Sequence, residues 1–101
     1  WAQILLLYDR LAALAPSPVV HLNRAVALAE MGDVTRALRQ LNALQDDLAN
    51  YQPFHAAQAD LAARAGDIAA ADTAYGRAID LANSSADRTW LAARREALKS
   101  T

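Results

Sequence analysis

The sequence has 101 residues, the size of one domain, so a single domain over residues 1–101 with one modest core is expected. Alanine and aliphatic residues dominate, and with aromatics at only 6% and three glycines the composition is helical rather than sheet-forming. A net charge of −1 makes the segment a poor nucleic-acid binder, and the lack of cysteine excludes disulfides and thiolate metal sites and fits a cytoplasmic location.

Proline and glycine divide the chain at Pro16 and Pro18, Gly32, Pro53 and Gly66, with Asn83-Ser84-Ser85 as a further break. Between them the spacing predicts helices over roughly 2–15, 18–31, 34–49, 53–65, 68–82 and 86–99. The first opens at Trp1 rather than Met, from which a piece of a longer protein is expected. Its run Ile4 to Tyr8 is apolar on every side, far below the ~20 residues of a membrane span but typical of a helix covered all round. Trp1 to Tyr8 is therefore predicted to be a cut edge that is exposed, repacked or used for dimerisation. No membrane partner is expected.

Ser17 before Pro18 reads as an N-cap followed by a first-turn proline, and Gln52-Pro53 as a weaker copy of the same device. Gly32-Asp33 and Gly66-Asp67 each supply a helix-ending glycine and an aspartate that caps the next helix. Ser84 or Ser85 can cap the last helix. The two glycines lie 34 residues apart, the tetratricopeptide (TPR) period. Ala71, Tyr75 and Ala78 follow the second-helix pattern of that repeat, and Ala37, Leu41 and Leu44 are a looser copy. Ile4, Tyr8, Leu11 and Leu14 fit an orphan second helix. The expected fold is all-α, a TPR-like solenoid of antiparallel helix hairpins with about six helices.

His21 and His55 share the 34-residue offset, but packed neighbouring helices lie about 8–10 Å apart, too far for two ligands of one ion without further donors. They are read as half-buried fillers, and no metal is expected. Arg24 falls where the repeat wants leucine; a buried guanidinium there needs a carboxylate, with Asp9 and Asp60 the candidates, or else serves as a docking point. A groove lined by the first helices of the repeats is expected to include Leu22, Val26, Ala29 and Glu30, then Ala56, Asp60, Ala63 and Arg64. Arg88, Arg94, Arg95 and Lys99 make the last helix basic, read as a solvated capping helix with Trp90, Leu91 and Leu98 burying it. No phosphate loop, nucleophile elbow or placed nucleophile and base is present, so neither enzyme activity nor a cofactor is expected.

Several blocks resemble one family. Trp1-Ala2-Gln3-Ile4, Leu7-Tyr8-Asp9, Ala15-Pro16-Ser17-Pro18-Val19-Val20 and Leu22-Asn23-Arg24-Ala25-Val26-Ala27 are similar to the extracytoplasmic-function RNA polymerase sigma factors with a C-terminal TPR-like extension. So are Tyr75-x-x-Ala78 and the closing Asp87-Arg88-x-x-Leu91-x-x-Arg94-Arg95. The resemblance covers essentially the whole chain. It implies the regulatory tail of a bacterial transcription initiation factor, whose partners are the N-terminal sigma regions of the same chain or RNA polymerase. DNA would be reached only through those N-terminal regions, which this chain lacks. The partner-facing residues chosen are Asn23, Arg24, Glu30, Asp60 and Arg64. The rival readings are an unrelated TPR scaffold binding peptide or protein partners, and a ligand-sensing domain. A carboxylate-clamp scaffold is disfavoured because the lone lysine, Lys99, lies in the last helix.

Overall fold

The computed structural model describes residues 1–100. They form six α-helices: α1 (Ala2–Leu14), α2 (Pro18–Glu30), α3 (Val34–Asn42), α4 (Gln52–Arg64), α5 (Ile68–Leu81) and α6 (Ser85–Ala97). A 3-10 turn, Leu98–Ser100, follows α6, and no strand occurs among the described residues. The all-α expectation holds. Two compact units divide the chain, Trp1–Ala49 carrying α1 to α3 and the residues from Asn50 onward carrying α4 to α6.

Sequence-local chemistry sets the helix starts. The Ser17 hydroxyl accepts from the Val20 amide at 3.4 Å, with Pro18 in the first turn, where its missing N–H costs nothing. Ser84 does the same for α6, accepting from the Asp87 amide at 3.1 Å. α4 departs from expectation. It starts at Gln52, so Tyr51 rather than Gln52 occupies the cap, and no side chain satisfies its first amides.

The α2–α3 and α4–α5 turns are near copies. Gly32 has φ +102° and Gly66 φ +86°, a left-handed conformation that a Cβ would strain. The Gly32 amide donates to the Ala29 carbonyl at 2.9 Å and the Asp33 amide to the Leu28 carbonyl at 3.3 Å. Gly66 repeats this with Ala63 at 3.1 Å, and Asp67 with Ala62 at 2.9 Å. These are the paired bonds of a Schellman stop, which satisfy the last carbonyls of the finished helix. The same aspartates then cap the next helix: Asp33 Oδ1 accepts from the Arg36 amide at 3.2 Å and Asp67 Oδ1 from the Ala70 amide at 3.1 Å.

α3 is shorter than the sequence predicts. It ends at Asn42, and residues 43–50 continue as turns. The Leu44 amide bonds back to Leu41 and that of Gln45 to Asn42, tightening the chain out of the α pitch. Asn42, Asp46 and Asp47 favour this, since Asx side chains compete for backbone groups and negative charge opposes a helix C-terminus.

Within the first unit Leu22, Ala25, Ala27, Ala29, Ala37, Leu41 and Leu48 are buried, whereas α1, which packs on α2, contributes no fully buried residue. Within the second unit a core of Ala59, Ala74, Tyr75, Ala78 and Leu91 joins α4, α5 and α6, with Ile79 and Leu98 at its edge. Alanines on the shared face let α4 and α5 approach closely, and theirs is the most extensive helix pairing.

Candidate functional site

In the first unit the chosen residues all lie on α2. Asn23 and Glu30 are exposed, while Arg24 lies half-buried, its Nε bonded to Asp9 Oδ1 of α1 at 2.5 Å. The pairing with Asp9 is the one the sequence named first, but about a third of the Arg24 side chain remains in solvent, so it clamps two helices at the surface rather than within the core. Exposed pairs of this kind fix geometry more than they add stability. Beside Arg24 lies a hollow of about 390 Å³ lined by His21, Arg24, Gln40, Ala43 and Leu44. A smaller one of about 230 Å³ adjoins it, bounded by Pro16, Ser17, Pro18, His21, Leu44 and Asp47.

In the second unit the geometry converges on one surface. Asp60 of α4 takes Arg64 Nη2 at 3.0 Å along its own helix and Arg94 Nη2 of α6 at 3.6 Å. Arg94 also donates through Nε to the Tyr75 hydroxyl at 3.4 Å, and its guanidinium sits 5.1 Å from the Trp90 ring centre. Trp90 itself is 58% exposed. A hollow of about 230 Å³ opens beside this cluster, lined by Ala63, Ile68, Tyr75, Arg94, Ala97 and Leu98. An exposed indole under a stacked arginine, next to an apolar notch and a carboxylate, is the chemistry that dominates protein–protein contacts.

The other cations of α6, and Lys99 in the turn after it, each have a partner within the second unit. Arg95 holds Asp72 of α5 with Nε to Oδ1 at 2.8 Å and Nη2 to Oδ2 at 3.2 Å, a two-pronged bond. The hydrogen bond from Arg95 holds the Asp72 carboxyl below the usual carboxylate range, and the same bond raises the Arg95 guanidinium above its ordinary value. Arg88 donates to the Ala82 carbonyl at 3.1 Å, closing the end of α5, and Lys99 pairs with Glu96 at 3.2 Å.

Several expectations change. Leu22 and Ala29, expected on a groove face, are core residues at 3% exposure, whereas Val26, Ala56 and Ala63 are half-buried. Leu91 buries α6 as expected, but its neighbour Trp90 faces solvent. Asp60 answers Arg64 and Arg94, and Arg24 is answered by Asp9. Trp90, Tyr75 and Arg94 were absent from the chosen residues. The spacing of Trp90 and Arg94, four apart and so on one helix face, was the available signal. His21 is half-buried, as expected of both histidines, but His55 is fully buried, its ring edge-on to Phe54 at 5.1 Å. Among the described residues no group of three or more His, Asp or Glu side chains is placed to hold a metal ion. No described helix is long and apolar enough to cross a membrane.

Over 91 residues, 90% of its length, the chain is 37% identical to an uncharacterised protein of Rhizobium meliloti (strain 1021). That stretch is 22% of the relative, so the chain spans about a fifth of a protein roughly 410 residues long. No family model and no solved structure matches the chain.

Proposed function

We propose that this chain is a protein-interaction domain, the TPR-like regulatory tail of a bacterial extracytoplasmic-function sigma factor acting in the cytoplasm. It modulates initiation by contacting the sigma regions of its own polypeptide or RNA polymerase, favouring one arrangement of the initiation factor over another. The observation that carries the interaction reading is the exposed Trp90 stacked on Arg94 beside Asp60 and Arg64. The sigma-factor reading rests on the sequence blocks. Two of them meet in space, since the Asp9 that follows Leu7-Tyr8 pairs with the Arg24 that follows Leu22-Asn23. The length of the Rhizobium relative leaves ample room for separate DNA-reading and polymerase-binding regions.

Run-off transcription with the full-length parent, with a version lacking this segment, and with Trp90→Ala and Arg94→Glu tests the proposal. Loss or release of promoter-specific initiation on deletion, reproduced in part by either substitution, is the expected result. A parent that supports no initiation at all removes the sigma-factor reading. Full activity in both variants, and also on charge reversal at Arg24 or Arg64, moves the contact away from these surfaces.

The repetition of the Gly-Asp turn at 34 residues favours a second reading, a peptide-binding TPR scaffold unrelated to transcription. It would bind its partner in extracts depleted of both polymerase and sigma factor, which a sigma-factor tail would not.

A further inference from the structure

The early end of α3 opens space inside the first unit. At the offset of the repeat, Gln40, Ala43 and Leu44 answer to Ala74, Arg77 and Ala78. In the second unit α5 runs on to Leu81, and Ala74 and Ala78 are buried in its core. In the first unit α3 stops at Asn42, so Ala43 and Leu44 fall in the turns, and Gln40 and Leu44 stay half-buried. Around them lie two adjoining hollows, of about 390 and 230 Å³, that share His21 and Leu44. All their lining residues fall between 16 and 47, so neither end of the chain shapes them.

The larger hollow gathers three polar side chains from two helices. His21 and Arg24, one turn apart on α2, share it with Gln40 of α3, and each is half-buried. Asp9 holds the Arg24 Nε at 2.5 Å, which fixes the plane of the guanidinium and leaves its Nη donors for a second acceptor. Imidazole, guanidinium and carboxamide N–H groups around one space are a set that holds an oxyanion. Because Asp9 already offsets the Arg24 charge, the set suits one negative charge rather than the two of a phosphate. The smaller hollow continues the site with the apolar walls of Pro16, Pro18 and Leu44, and the exposed Asp47 beside them repels a second anionic group.

The geometry points to a binding site for a small monocarboxylate with an apolar tail. The carboxylate sits on Arg24, His21 and Gln40, and the tail runs past Leu44 toward Pro16 and Pro18. The larger hollow alone falls in the ~300–1,000 Å³ range of small-molecule pockets, which pair a few polar groups with apolar walls. The site goes beyond the sigma-factor reading and does not depend on it.

Titration of the isotope-labelled whole chain with sodium hexanoate, followed by amide chemical shifts, tests it. The expected result is saturable shifts confined to residues 16–24 and 40–47, with a Kd on the order of 1 mM. Hexylammonium, with the same tail and the opposite charge, gives no saturable shift there, and neither does inorganic phosphate. Gln40→Leu, which leaves the Asp9–Arg24 pair in place, weakens binding about fivefold or more, and Arg24→Gln about tenfold or more, with helix content unchanged. Arg10→Gln, the same loss of charge at an exposed residue outside the hollow, leaves the affinity as it was. Four outcomes overturn the site: no saturable shift, shifts spread over the chain, equal binding of hexylammonium or phosphate, or an affinity indifferent to Gln40→Leu and Arg24→Gln.

Discussion

α3 and α5 begin alike and end differently. Each follows a glycine with positive φ and an aspartate cap, with matching bonds at both turns. Yet α3 runs for 9 residues and α5 for 14. At the offset of the repeat, α3 stops at Asn42 while α5 passes through Gly76, the poorer helix former of the two. Propensity therefore does not decide where these helices end. α5 is gripped by α4 and α6, and the Arg95 guanidinium lies over Gly76, 3.4 Å from where a Cβ would sit. α3 runs instead into Asp46 and Asp47, whose charge disfavours further turns. The starts of α3 and α5 are local, whereas the run of α5 past Gly76 belongs to packing.

The largest test of that contrast is Leu91→Ala. Removing the α6 side chain buried in the α4–α5–α6 core should cost about 2–5 kcal/mol in urea unfolding, and exchange protection of the amides from Gly76 to Leu81 should fall most. Leu6→Ala on the outer helix of the first unit, where the side chain is 54% exposed, should stay within about 0.5 kcal/mol. Equal losses would mean that α1 supports its unit as firmly as α6 supports the other.

Next come the starts. Gly32→Ala and Gly66→Ala meet no atom within 4 Å, so their cost is backbone strain alone, about 1–2 kcal/mol each and alike within error. A marked difference between them would show that packing reaches the turns as well.

The smallest effect is expected at Asp72→Asn, which removes the carboxylate that seats Arg95 across Gly76. Because the folded carboxyl titrates below its unfolded value, its contribution is complete above about pH 4 and is lost as pH falls through the folded value. The variant should melt slightly below the parent at neutral pH and converge with it in acid, as thermal scans across that window would show. A gap that persists in acid would assign the effect to packing instead.

The sequence made the turns legible because glycine and aspartate act on their own neighbours. It misled at α3, where Leu41, Leu44 and Leu48 keep a helical spacing through residues that turn. It misled again at Trp90 and Leu91, adjacent apolar residues of which only one can face the core, a choice set by the distant Ala59 and Tyr75. Of the chosen contact residues, Arg24 was legible as an ion-pair member because a guanidinium at a position that wants leucine needs a carboxylate, and Asp9 was one of its two candidates. The gathering of Asp60, Tyr75, Trp90 and Arg94 was not, since it spans three helices.

Asp33 and Asp67 each close one helix and open the next, so neither turn holds a spare residue. A single inserted residue at either point would separate the stop from the cap and undo both at once. Length variation is therefore steered to residues 43–50, where the backbone already turns without a fixed cap. Homologous chains should keep the two hairpins at constant length and differ in that stretch.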